Sequence, residues 1–395
     1  MSGKNDHRPS LALFHNLPSG GGIRVVQGMV EHLSGPFRLS VYSPEGSAAL
    51  ELPKAVVHHE ISFPSGRRIS GIRKAAAPLV LPARLRAFEK LCEGAGAEMS
   101  GSSDLALIHN SMYVAAPPVL KYLEIPSVYY CYEFPRHLYE PTIVRRTRNR
   151  LQYILLSRLR WLEKKIDTES CLAADSVVCL SSWMKSRISD IYRIEADIVR
   201  PGIQKGFCEG YDKAEEVNRV LSVGALWPFK GHEMAMEAVA ALPEDERPSL
   251  TVVADREFPG YGNRLMEAAE ELNIELAILR HISDARLKEL YSGSRAVLCC
   301  QRNEPYGMVP LEAMCCGTPV IAVSEGGFTD NIKDGENGLL VSRNSEEMAA
   351  ALKRVLTEPA LAQRISDGGM EFVKKRRSVA SAAEQLIEIL RESLE

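Results

Sequence analysis

Apolar residues along this chain fall into short, nearly continuous runs, separated by polar loops and by stretches of helical spacing. The first runs are residues 11–14, 39–42, 55–61, 105–109, 128–131 and 174–180. Later ones lie in RVLSV (219–223), SLTVVAD (249–255), LAILRHI (276–282), and at 296–300 and 320–323. Strands this short and this uniformly apolar suit parallel sheets covered by helices on both faces. Between the first two runs, Val25, Val26, Met29, Val30 and Leu33 recur at helical spacing. The pattern predicts an α/β protein.

The most informative stretch is RAVLCCQRNEPYGMVPLEAMCCGTPVIAV, residues 295–323. It predicts one βαβ unit, with Pro310 suited to the first helical position and Gly317-Thr318-Pro319 to the stop. The amides of Gly307, Met308 and Val309 then lie free at a helix start beyond a strand's carboxyl end, where backbone donors and the helix dipole favour an anion such as phosphate. Glu304 in the loop and Glu312, placed in the first helical turn, are eight positions apart. Acids beside a phosphate site suit hydroxyl groups, so the ligand would carry both phosphate and sugar. The plainer alternatives are an acid that stabilises a helix start and a solvated loop residue.

With 395 residues and 45% hydrophobic composition, the chain is long enough for two domains with separate cores. Lys+Arg 48 against Asp+Glu 51 gives a net charge of −3, which argues against a nucleic-acid partner. Nine cysteines, with no C-x-x-C pair, suit a reducing cytosol better than a disulfide framework or zinc site. The polar start MSGKNDHRPS has no secretory core. No apolar run approaches the ~18 residues that span a bilayer, so a soluble or peripheral cytoplasmic protein is expected.

The segment EPYGMVPLEAMCCGTPVIA, with its E-x7-E spacing, resembles the signature of retaining nucleotide-sugar glycosyltransferases of the group 1 (family 4) type. RVLSVGALWPFKGHEMAMEAV is similar to that family's G-R-x-x-x-x-K-G loop, with Lys230 at the lysine that clamps the donor diphosphate. The family's arginine is Ala225 here, and Arg302 or Arg256 is a candidate to replace its charge. The resemblance further implies that the backbone at His281 and Ile282 receives the nucleobase, with Ser283 as the cap of the next helix. In HNLPSGGG, Gly21 and Gly22 would let backbone approach the donor, although a merely flexible turn is equally consistent. His109 would stand at a strand end near the transferred sugar, or serve as a structural hydrogen bonder. Tyr132, Glu133 and Arg136, in a loop where relatives often carry a histidine, become acceptor-site candidates.

The resemblance implies two Rossmann-like domains facing a cleft, the GT-B fold. Residues 1–200 would bind the acceptor and 201–377 the nucleotide-sugar, while 378–395 would form a helix returning to the first domain. The implied reaction is retaining transfer of a hexose-like sugar from a nucleoside-diphosphate sugar to a glycan or lipid-linked hydroxyl. Glu312 would hold ribose, Lys230 and the helix amides the diphosphate, and Glu304 the sugar, with no cofactor. Without a D-x-D sequence, no divalent metal is implied. The rivals are a degenerate scaffold and a phosphorylase or epimerase of the same fold. Two basic stretches stay open: residues 62–82 as a surface insertion or a mobile loop facing the membrane or acceptor, and 136–165 as a packed helix or one lying on an anionic membrane.

Overall fold

The computed structural model describes residues 7–18, 20–63, 77–140, 150–208 and 217–395. Contacts divide the chain into two compact units. The first comprises Met1–Leu180, Met184–Arg200 and Ala382–Glu395, and the second Ser181–Trp183 and Pro201–Ser381.

The strands of the first unit are β1 Ser10–Asn16, β2 Arg38–Pro44, β3 Val57–Ile61, β4 Leu105–Ser111, β5 Ser127–Cys131, β6 Ser176–Cys179 and β7 Asp197–Ile198. They pair in parallel in the order β3-β2-β1-β4-β5-β6-β7. The second unit has β8 Val217–Val223, β9 Ser249–Ala254, β10 Leu276–Arg280, β11 Ser294–Cys299, β12 Val320–Val323 and β13 Leu339–Val341. These too are all parallel, in the order β10-β9-β8-β11-β12-β13. Within each unit this is the doubly wound order 3-2-1-4-5-6, extended by β7 in the first, and it reverses direction beside the first strand. The α/β expectation is met twice.

Burial explains why these runs carry little polar alternation. All seven residues of β4, all five of β5 and all four of β12 are buried, as strands covered on both faces require. The edge strands β3, β7 and β10 are the exceptions, with no buried position. The helix Val379–Glu392 buries Ala382, Ala383, Leu386 and Leu390, and its residues from Ala382 onward belong to the first unit.

Two expectations change. Strand β4 runs on to Ser111, so His109 lies inside the strand and not at its end. Cys208 and Cys315, 107 residues apart, form a disulfide with α-carbons 4.9 Å apart, against the expectation of reduced thiols. The fold, not local spacing, brings them within the ~4.4–6.8 Å that such a bridge spans. The other seven cysteines are buried and lie outside this bridge. Of the two basic stretches, residues 64–76 and 141–149 lie outside the described residues. Helix Arg150–Leu172 is described, and it carries Trp161 64% exposed. Among the described residues no helix is long and apolar enough to cross a membrane.

Candidate functional site

In the second unit the sheet reverses between β8 and β11, and in open α/β sheets ligands bind outside the carboxyl ends of the strands at such a point. The loop after β8 ends in a 3₁₀ turn, Pro228–Lys230, closed by Gly231 at φ 73°. A Cβ on Gly231 would lie 2.2 Å from the Cys300 carbonyl oxygen, so only glycine lets this turn sit against the start of the β11 loop. The Lys230 stem then passes Gly224 and extends its ammonium toward that loop. Lys230 Nζ donates to Glu304 Oε2 at 2.9 Å, with the two side chains 22% and 21% exposed. Sequence reading had named both residues, 74 positions apart; the fold makes them a contact pair.

Beyond Glu304 the chain turns into the helix Met308–Cys315. Its N-cap is Gly307, at φ 92° and without a side-chain cap. A Cβ there would press on Phe328 Cδ1 at 2.6 Å. The start is therefore earlier than expected: Pro310 is the third helical residue, not the first, because Gly307 supplies the left-handed turn that begins the helix. The amides of Gly307, Met308 and Val309 precede any i−4 carbonyl of the helix and point from its positive end. By the same shift Glu312 falls in the second helical turn, a correction to its expected first-turn position. It is only 6% exposed, and Tyr291 donates a hydrogen bond to its Oε2 at 3.0 Å. Burial, and then the neighbouring Glu312 carboxylate, push the Tyr291 hydroxyl well above its usual range, so it stays a donor. Tyr291 was not foreseen, since nothing local links it to a carboxylate 21 residues on.

His281 adopts φ 52°, exposed just after β10, and its amide donates to Ala254 O at 3.3 Å. Ile282 follows, and Ser283 caps helix Asp284–Ser292 through its side chain, as expected. An open cavity of about 520 Å³ borders the Lys230 turn through Phe229 and Gly231, and is also lined by Glu233, Arg302, Arg343 and Asn344. Neither Lys230 nor Glu304 lines it.

The first unit reverses between β1 and β4, where the chemistry differs. Gly20, at φ 137°, caps helix Gly21–Leu33. A Cβ on Gly21 would meet nothing within 4 Å, while one on Gly22 would touch Tyr132 and Leu17 at 3.5–3.6 Å. His109 is 0% exposed and shares a 2.7 Å hydrogen bond between its Nδ1 and the Tyr132 hydroxyl. Its Nε2 is buried without a partner. Burial, and then neighbouring His15, lower its pKa to about 3, so the ring is neutral. Arg136 is buried and held by Glu140 through Nε at 3.0 Å and Nη2 at 2.8 Å, which commits its fork to an internal pair. Glu133 lies 3.6 Å from Arg136 and is about half exposed.

Residues 208–372 match the family described as Glycosyl transferases group 1. That stretch of the chain is similar to group 1 glycosyl transferases. The D-inositol 3-phosphate glycosyltransferase of Acidothermus cellulolyticus is 30% identical over 221 residues, which cover 50% of this chain and 49% of that protein. The chain thus spans about half the length of this relative. Among solved structures, sucrose-phosphate synthase from Thermosynechococcus elongatus superposes with a TM-score of 0.75 at 18% identity, covering 98% of this chain and 99% of its own. Anabaena HepE in complex with UDP-glucose gives 0.70 at 14% identity, covering 98% and 100%. These likenesses define the fold as GT-B.

Proposed function

We propose that this chain transfers a glycosyl unit from a nucleoside-diphosphate sugar to a hydroxyl of a glycan or lipid-linked acceptor, with retention at the anomeric carbon. The observation that carries the proposal is the 2.9 Å contact of Lys230 with Glu304 beside the uncapped start of helix Met308–Cys315. A cation and a row of backbone donors suit a diphosphate. Acids on either side of it suit the hydroxyls of ribose and sugar. The family match over 208–372 and the UDP-glucose held by Anabaena HepE support the same donor class.

In this reading the departing diphosphate gains negative charge as the glycosidic bond breaks. Lys230 and the amides of Met308 and Val309 stabilise that charge with donors fixed in advance, which is where most of the rate gain in such sites arises. These donors provide the positive charge, so no divalent metal is required. Glu312, held by Tyr291, binds the ribose, the backbone at His281 and Ile282 meets the base, and Glu304 orients the sugar hydroxyls. With His109 buried, Tyr132 carries its influence toward the Gly21-Gly22 turn. The relatives' names make a phosphorylated inositol the first acceptor to test. Exposed Trp161, with Lys165 Nζ 5.6 Å from its ring, fits contact of the basic helix with an anionic membrane on the cytoplasmic side.

The test is incubation with UDP-, GDP- and ADP-sugars, with and without acceptor. Release of nucleoside diphosphate supports transfer. Product formed only with inorganic phosphate marks a phosphorylase, and binding without release a scaffold that has lost turnover.

A further inference from the structure

Glu304 sits on a loop, and loop backbones are ordinarily the mobile parts of a fold. The stretch from Cys300 to Pro305 is nevertheless fastened along its length. Gln301 Nε2 donates to Val223 O at 3.0 Å, the Arg302 amide donates to Phe229 O at 2.9 Å, and Ser181 Oγ donates to Pro305 O at 2.6 Å. The Gly327 amide donates to Glu304 O at 2.7 Å. A Cβ on Gly326 would lie 2.4 Å from that same oxygen, so the two backbones are in direct contact.

At the centre of this fastening is Arg343, in the turn after β13, with its side chain 18% exposed. Its Nη1 donates to Cys300 O and its Nη2 to Gln301 O, both at 2.9 Å. Nε and Nη2 also grip Glu325 Oε1 and Oε2, both at 2.8 Å. Glu325 in turn accepts from the Asn303 amide at 3.5 Å, where the backbone takes a left-handed φ of 47°. One planar fork thus holds two carbonyls directly and a third residue through its acid. A lysine offers a point charge and cannot reproduce this. Burial pushes the Glu325 carboxyl up, but the bonds from Arg343 outweigh it and hold the acid below its usual range.

We infer that Arg343, with Glu325, is a positioning residue for Glu304: the pair fixes the Cys300–Pro305 backbone so that the Glu304 carboxylate stands at Lys230. The inference rests on the reading of Glu304 as the residue that orients the donor sugar. Neither Arg343 nor Glu325 was singled out by sequence. Their place at the carboxyl ends of β13 and β12, on the edge that carries Lys230 and Glu304, is the signal that could have found them.

Two measurements on Arg343→Met and Arg343→Lys test this. Hydrogen exchange should accelerate about tenfold or more in peptides covering 301–307, with β8 and β12 unchanged, because local opening follows lost local bonds. Release of nucleoside diphosphate from the sugar nucleotide used by the wild type should show kcat down about tenfold or more, as small misplacements of reacting groups do, with donor KM within about threefold. Arg343→Lys, which keeps the charge and loses the fork, should restore neither exchange protection nor kcat. Should Arg343→Met fail to fold, Glu325→Gln serves, with the same direction and a smaller effect. Wild-type exchange in 301–307 overturns the clamp. Accelerated exchange with unchanged kcat, or with a rise in donor KM alone, overturns the positioning role. If the wild type releases no nucleoside diphosphate from any donor, the transfer reading fails, and the exchange result still decides whether Arg343 holds the loop.

Discussion

Both units reverse their strand order beside the first strand, yet the side chains gathered there are opposites. In the second unit the loops after β8 and β11 bring a cation and an acid to 2.9 Å, each about one-fifth exposed. In the first, β4 carries His109 wholly buried and neutral, bonded to Tyr132, while neighbouring His15 at β1 is 1% exposed and its pKa is lowered to about 4, mainly by burial. One topology therefore hosts a charged, accessible site in one unit and a neutral, sealed cluster in the other. The difference comes from the loops: the second unit projects Lys230 and Glu304 past the strand ends, whereas the first keeps its two histidines within strands β1 and β4.

Five outcomes would sharpen or break this contrast. The largest effect should follow Lys230→Ala, which removes the only side-chain cation assigned to the diphosphate; nucleoside diphosphate release should fall about 100-fold or more, the scale for losing one preorganised donor. Next, Glu312→Ala should weaken nucleotide binding by calorimetry about 10- to 100-fold, the range for one hydrogen bond to a charged group. Tyr291→Phe should weaken it less, since the carboxylate remains. In the first unit, Tyr132→Phe would leave both nitrogens of His109 unpartnered, and denaturant unfolding should register a loss of about 1–3 kcal/mol.

The last outcome concerns pH. His109, lowered to about 3, stays neutral in the folded chain while the unfolded chain takes up a proton below its ordinary value of 6.5. Stability tied to this residue is thus complete above pH 6.5 and is lost as pH falls toward about 3. The slope is about 1.4 kcal/mol per pH unit for one fully withheld proton. It is read as the difference between wild type and His109→Gln, because Asp167, raised to about 6 chiefly by burial, takes up a proton in the folded state and offsets part of the loss in both proteins. His232 in the second unit, buried and lowered to about 4, would give its own such slope.

The runs that became buried strands were legible because parallel strands covered on both faces can be apolar throughout. The helix start was legible too, since Glu304, Gly307 and Glu312 lie within one βαβ unit. Helix phase was read two residues late: proline at 310 suggested a first position, and only the left-handed Gly307 fixes the true start. What stayed hidden depends on contacts distant in sequence. Tyr291 on Glu312, Arg343 on the Cys300 and Gln301 carbonyls, and Cys208 on Cys315 are set by the sheet, not by spacing. Arg136 is a local case instead: its acid partner Glu140, four residues on, buries with it.

The central claim is that a diphosphate binds where Lys230 meets the uncapped helix at Gly307. A crystal structure with the best-binding nucleoside diphosphate tests it most directly. The account predicts phosphate oxygens at about 3 Å from Lys230 Nζ and from the amides of Met308 and Val309, with the ribose hydroxyls on Glu312. A nucleotide bound elsewhere, with Lys230 still paired only to Glu304, would contradict it.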